Sequence, residues 1–247
     1  MFCNQDFYKF IIINTGINFK LMINNISSYT LILGSIIFLA VSCKKEEKPP
    51  EPVIDIAGNI YKTVKTGTQV WMAENLKTTR FNDGTDIPLV TDSSAWSSLS
   101  IPGYCWYNND ESRYKSPYGA LYNGYAVSTG KLCPAGWHVP AREEWQLLRD
   151  FLGDTIEGGG KMKEAGTRHW FTPNKGADNS SGFTALGSGI RYFEGTFSAV
   201  LYYTGFWSNT VNEADQEWFL NLYYGNATVN LSLISRNYGL SVRCVKN

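Results

Sequence analysis

Apolar and polar side chains alternate most clearly near residue 60. Ile60-Tyr61-Lys62-Thr63-Val64-Lys65 alternates, Thr66-Gly67-Thr68 interrupts, and Gln69-Val70-Trp71-Met72 resumes, which predicts a β-hairpin across a glycine turn. Asn82-Asp83-Gly84-Thr85 predicts a second turn. The period changes over residues 140–153. Pro140 opens the segment, Glu143 and Glu144 fill its first turn, Trp145, Leu148 and Leu152 share one face, and Gly153 ends it, so a helix is expected. A short helix is also expected over residues 119–127, although Gly119 and Gly124 weaken it. Short aromatic strands are expected at 189–193, 205–208, 217–222 and 239–245. Few helices, short strands and frequent turns place the fold in the α+β class. No repeat of fixed period is evident.

The N-terminal region has a different pattern. Residues 21–42 carry no charge, and Leu31–Val41 form an eleven-residue apolar stretch. That length suits the hydrophobic segment of a secretory signal, roughly 7 to 15 residues, and falls short of the roughly 20 needed to span a bilayer. Ala40-Val41-Ser42-Cys43 then resembles the lipobox of bacterial lipoproteins, with Cys43 as the lipidated residue and a membrane anchor as its consequence. Residues 1–42 read as a signal peptide, with Met22 as an alternative start. The following Lys44-Lys45-Glu46-Glu47-Lys48-Pro49-Pro50-Glu51-Pro52 reads as an extended, solvated tether. Its acidic pair close behind the cysteine resembles the surface-export signal of Bacteroidetes lipoproteins, which implies an outer-membrane, surface-exposed location. One domain is expected over residues 53–247, long enough to bury about 70% of its unfolded surface.

Composition narrows the function classes. Lys plus Arg and Asp plus Glu are balanced at 22 each. Removing residues 1–42 takes away Lys9, Lys20 and Asp6 and leaves a net charge near −1. No broad positive field exists to attract a polyanion, so nucleic acid is not an expected partner.

The series WMAENLKT (71–78), CWYNND (105–110), YGALYNGYAV (118–127), CPAGWHVP (133–140), EEW (143–145), GGKMKEAG (159–166), SGFTALGSGIRY (181–192), FWSNT (206–210) and SVRCVK (241–246) resembles the Fibrobacter succinogenes major paralogous domain over residues 55–247. Its CPxGW and terminal RC elements are also similar to those of C-type lectin-like and sulfatase-modifying-factor domains. The resemblance implies a compact C-type lectin-like fold with few short helices, short antiparallel strands and much irregular chain. It implies no activity.

With Cys3 in the leader and Cys43 lipidated, Cys105, Cys133 and Cys244 remain for an oxidising compartment, an odd number. The resemblance to lectin-like domains implies a Cys133–Cys244 disulfide, which leaves Cys105 as a free, buried thiol. Formylglycine-generating chemistry would need a redox-active cysteine pair before the final RC element, and residues 232–238 hold none. His138 and His169 are the two histidines, and no HExxH, GxSxG, P-loop or CxxC motif occurs. His138, between Trp137 and Val139, reads as a structural, hydrogen-bonded histidine; pairing with Cys105 as nucleophile and base has no local signature. Asp83 with Asp86, Asp110 with Glu111, and Glu143 with Glu144 could in principle form a hydrolytic acid pair, yet each has a structural reading as turn, exposed loop or helix-dipole partner. No calcium-binding loop or sugar-lectin signature is present, so no metal and no cofactor are expected.

Aromatic side chains are the remaining signal. After the leader, 29 aromatics are left, including all eight tryptophans. Trp106 with Asn108, and Trp207 with Asn209, are the ligand-binding candidates, as aromatic and amide groups that could line a groove for a glycan or peptide. The expectation is a lipid-anchored recognition domain without catalysis. An envelope scaffold without a soluble ligand is the alternative, and a hydrolase is third. Exposed clustered tryptophans would favour binding and buried ones scaffolding. A polar pocket holding His169 with carboxylates would favour catalysis.

Overall fold

The computed structural model describes residues 50–247. The expected signal peptide, the expected lipidation site Cys43 and the expected tether up to residue 49 lie outside that range. The end of the expected tether is docked rather than free: Thr63 Oγ1 donates to the carbonyls of Pro50 (3.1 Å) and Glu51 (2.9 Å). Strands β1 (Val53–Ile54) and β2 (Ile60–Tyr61) pair antiparallel. Asp55 closes their connection by accepting from Asn59 N–H (2.9 Å), Asn59 Nδ2 (2.8 Å) and Tyr61 OH (2.6 Å).

The predicted hairpin is present in shortened form. β3 (Thr63–Thr66) pairs with β4 (Gln69–Met72) across a two-residue Gly67-Thr68 turn in which Gly67 takes φ +61°. Ile60 and Tyr61 belong to β2 instead. Helix α1 (Ser93–Ser97) is capped by the Asp92 carboxylate, which accepts from Ala95 N–H. β5 (Tyr104–Cys105) and α2 (Glu111–Tyr118) follow, the helix capped by Asp110. Over residues 119–127 the expected single helix is replaced by β6 (Leu121–Tyr122) and a one-turn α3 (Gly124–Val127). Asn123 makes the break by accepting from Ala126 N–H (2.9 Å) and Gly103 N–H (3.0 Å).

β7 (Trp137–His138) leads into the strongest sequence-predicted element, α4 (Arg142–Phe151). Trp145 and Leu148 are wholly buried on its inner face, and Glu144 Oε2 accepts from Ala141 N–H (2.8 Å) at its start. Gly153, at φ +97°, turns the chain into α5 (Asp154–Met162), a helix the sequence pattern does not announce. Its Gly158-Gly159-Gly160 run is used for close approach: a Cβ on Gly159 would lie 2.2 Å from the Thr228 carbonyl oxygen, and one on Gly160 2.3 Å from that of Gly176.

The remaining chain forms β8 (Ser188–Arg191), β9 (Phe197–Val200), β10 (Tyr203–Val211), β11 (Gln216–Tyr223), β12 (Val229–Ser235) and β13 (Val245–Lys246). A five-stranded sheet has the order β12-β11-β10-β8-β9, with β8 and β10 its parallel pair. A four-stranded antiparallel sheet has the order β3-β4-β13-β7. The fold is thus mixed α+β, with five short helices among the described residues. The expected strand over 239–245 is reduced to β13 and single bridges at Gly239, Leu240 and Ser241.

Beneath α4 lies an aromatic cluster. Trp71 stacks on Trp145 at 4.6 Å between centroids, Phe183 and Phe206 meet Trp145 at 6.1 and 6.0 Å, and the two phenylalanines meet each other at 5.7 Å. Such pairs each contribute about 0.5–1.5 kcal/mol beyond burial alone. Cys133 and Cys244 are bonded across 111 positions, as the family resemblance implied. By loop-closure entropy a bridge of that span stabilises by about 4–5 kcal/mol.

Candidate functional site

A cleft of about 240 Å³ opens where four segments meet: residues 73–77 after β4, 115–117 in the last turn of α2, 164–169 after α5, and 184–186 before β8. Arg243 forms its floor and is wholly buried. Its guanidinium donates to Asn75 Oδ1 (2.7 Å) and to the carbonyls of Met72 (3.0 Å), Phe183 (2.6 Å) and Thr184 (2.9 Å). These bonds tie one wall of the cleft to the opposite wall. Arg243 also lies over the Phe183 ring at 4.5 Å. Burial lowers its pKa to about 9, which leaves it a cation at neutral pH.

On the rim, His169 Nδ1 contacts both carboxylate oxygens of Glu164, at 3.0 and 2.9 Å. Asn174 Nδ2 donates to the carbonyls of Glu164 (2.8 Å) and Gly166 (2.6 Å), which fixes the loop bearing that pair. Next to His169, buried Trp170 donates its indole N–H to Ala185 O (2.8 Å). The Tyr118 ring meets the His169 ring edge-on at 5.6 Å. Lys62, Lys77 and Lys115 complete the rim, Lys115 paired with Glu111 at 2.7 Å. Glu74 faces the same space and accepts from Lys62 N–H at 3.3 Å. The cleft therefore has cations, hydrogen-bond acceptors and one carboxylate-oriented imidazole on walls held by buried bonds.

Over residues 64–246 the chain matches the family described as the Fibrobacter succinogenes major domain. The chain belongs to this family. No curated protein and no solved structure matches it.

Within the span that matches the Fibrobacter succinogenes major domain, buried cations act as staples of the fold. Besides Arg243, Arg191 is wholly buried, lies 4.3 Å over the Trp96 ring, and donates to the carbonyls of Gly195 (3.0 Å), Thr91 (3.1 Å) and Asp92 (3.3 Å). Lys163 Nζ donates to the carbonyls of Lys175 (3.0 Å), Tyr223 (3.2 Å) and Asn226 (2.7 Å), and burial lowers its pKa to about 8. All three cations satisfy backbone carbonyls, mostly of loops and in two cases at strand ends (Met72 and Tyr223), which avoids the desolvation cost of orphaned carbonyls. Asn75 continues the pattern, donating to Tyr118 O (2.8 Å) and Ser241 Oγ (3.2 Å).

The aromatic groove expected at Trp106 and Trp207 is corrected by their burial, 2% and 0% exposed. Trp207 sits in the stretch of β10 whose residues 204–208 are all buried, and its indole donates to Tyr122 O (2.7 Å). Trp106 packs among Tyr104 and core residues, with Lys115 over its ring at 5.3 Å. Asn108 and Asn209 are exposed, and the tryptophans paired with them in sequence are not. Asn108 takes φ +52° in the turn Tyr107–Asn109, and Asn209 N–H donates to Pro140 O (2.8 Å). Trp137 and Trp218 are half-buried, and the other six tryptophans are buried.

The open aromatics are tyrosine and phenylalanine. Phe171 stacks on Tyr202 at 4.7 Å, Tyr224 meets both edge-on, and Tyr223 meets Tyr224, with Phe171, Tyr202 and Tyr223 exposed. No local sequence signal joins these rings, because they lie on separate segments and converge only through the sheet.

Of the chemical candidates, Asp110 and Glu111, expected in an exposed loop, instead cap and open α2, and the others fall where their structural readings put them. Cys105 is free and buried, and burial pushes its thiol up to about 12. His138 uses Nδ1 on Asn247 Oδ1 (2.6 Å) and Nε2 on Glu144 Oε2 (2.8 Å), so it is not paired with Cys105. Asp83 is bonded to Thr85 and Lys131, and Asp86 to Arg80. Among the described residues no group of three His, Cys, Asp or Glu side chains is placed to hold a metal ion.

Proposed function

We propose that the chain is a lipid-anchored lipoprotein of the outer-membrane surface whose lectin-like domain recognises an extracellular ligand, glycan or protein, without performing chemistry. The observation that supports this reading is the cleft bounded by Lys77, Lys115, Glu74 and His169, whose walls are fixed by Arg243 and Asn174. A preorganised polar cavity needs little reordering on binding, which favours affinity. Cys43 holds the protein at the membrane, residues 44–49 lead from that anchor, and the cleft meets ligand from the exterior.

The His169–Glu164 pair supports a second reading, a hydrolase, because a carboxylate-oriented imidazole in a cleft can serve as a general base. The burial of six tryptophans supports a scaffold, and the His169–Glu164 pair supports catalysis. Recognition is preferred to the first because an open, preorganised polar cleft has no use in a scaffold, and to the second on the state of the nucleophiles. Ser116 and Thr184 line the cleft, but no hydroxyl or thiol among the described residues hydrogen-bonds to His169.

The test is binding of the full chain to an array of glycans and peptides, with and without chelator, followed by product analysis on every hit. Saturable, chelator-insensitive binding without turnover is expected. Turnover would replace recognition with hydrolysis, and absence of any hit would replace it with scaffolding. For the anchor, Cys43→Ala is expected to move the protein from the membrane fraction to the soluble one; unchanged retention would contradict lipidation.

A further inference from the structure

The charges around the cleft are unequal. Lys62 and Lys77 have no ion pair among the described residues, and the buried guanidinium of Arg243 hydrogen-bonds only to carbonyl and amide oxygens, with Glu74 the carboxylate whose charge acts on it. Glu164 is engaged by His169, and Lys115 by Glu111. Three cations, Lys62, Lys77 and Arg243, therefore share the cleft with Glu74 as their carboxylate, and the surplus there is positive. The opposite charge type is still represented, since Glu74 and Glu164 face the same space. Those two carboxylates would repel a dense polyanion, yet they are good acceptors for hydroxyl groups. A ligand that satisfies both sets carries one isolated anionic group amid neutral hydroxyls. A cleft of about 240 Å³ admits a single such unit rather than a run of them.

Resting on the recognition reading above, we propose that the cleft binds a carboxylate-bearing saccharide, a uronic acid residue of an extracellular polysaccharide. Lys77 and Lys62 hold the carboxylate, and Glu74 and the His169–Glu164 pair accept and donate hydrogen bonds to the ring hydroxyls. Arg243 is a positioning residue here, because its donors are already committed to the walls.

The experiment uses the full chain in detergent and calorimetric titration with oligomers of galacturonate, mannuronate and guluronate. Each oligomer is paired with its carboxyl-reduced counterpart, which keeps every hydroxyl and loses the charge. At least one uronate oligomer is expected to bind at least ten-fold tighter than its reduced form, with affinity falling as salt rises. Lys77→Gln is expected to remove that ten-fold advantage while leaving the melting temperature unchanged. Lys62→Gln serves as the second variant should Lys77→Gln fail to fold. Equal binding of a uronate and its reduced form would overturn the acidic specificity and leave recognition standing. Binding of an acidic peptide in place of every saccharide would overturn the saccharide class. Failure of the whole panel, together with a hit elsewhere on the glycan and peptide array, would overturn this proposal alone. Failure of both would overturn it together with the recognition reading.

Discussion

Glu217 shows how a single side chain can set the pH response of the fold. It is wholly buried in β11, with Ser128 Oγ at 3.5 Å and Arg236 Nε at 3.9 Å, and its Oε2 has no hydrogen-bond partner. Burial pushes its carboxyl up to about 8 against an ordinary value of 4.5; Arg236 and Ser128 pull it down, Asp215 up, and neither side outweighs burial. A carboxyl raised on folding favours the folded state fully below about pH 4.5, and that advantage is lost as pH climbs toward 8. Glu217→Gln, which keeps the shape and removes the titration, should therefore stabilise the protein on the order of 3 kcal/mol at pH 7 and hardly at all at pH 4. Denaturant unfolding at the two pH values checks this, and an equal effect at both would contradict it. The sequence was informative about residues whose role is local. Glu144 at its helix start and Asp83 in its turn are determined by neighbours within a few positions, whereas Asp110, read with Glu111 as exposed loop, caps α2 instead. It was uninformative about Trp106 and Trp207, because an adjacent asparagine does not reveal which side of the chain faces the core. Nor could it join His169 to the cleft, whose other walls come from residues 62–77, 115–117 and 243.

At the scale of elements, α4 was legible because its face, start and stop signals agree. α5 was not, because three successive glycines argue against a helix when only propensity is weighed. Here the glycines are required by tertiary contact, since the carbonyls of Thr228 and Gly176 press on the helix backbone. Gly159→Ala would raise intrinsic helix propensity and should still destabilise by at least about 2 kcal/mol, through overpacking against the Thr228 carbonyl. A melting temperature equal to or above that of the parent would show that the loop yields, and would remove this account of the glycine run. The split of residues 119–127 has the same origin in reverse. Asn123 binds backbone groups of Gly103 and Ile101, and that long-range bonding stops a helix that local propensity would allow. The strand expected over 239–245 breaks up because successive residues pair with different partners: Gly239 with Arg191, Leu240 with Tyr122, and Ser241 with Phe206.

For the whole molecule, much of the chain is held by buried cations on carbonyls and by the Cys133–Cys244 bridge, with sheets of short strands between. Arg243 and Cys244 are consecutive, so one dipeptide ties the cleft floor to the disulfide. That arrangement leaves rigid loops, and rigid loops can hold a binding cavity without a large sheet beneath it. The α+β class could be expected from the sequence pattern and the disulfide from the family resemblance; the cleft could not, since it exists only where separated segments converge. The central claim is that ligand is recognised in this cleft. The chain contains two histidines, His169 at the cleft and His138 bonded to Glu144 and Asn247. Histidine-selective NMR of the full chain therefore gives two assignable ring signals during titration with the glycan that the array selects. The account predicts that the His169 signal shifts in step with saturation while His138 stays in place; binding that saturates with His169 unmoved would contradict it.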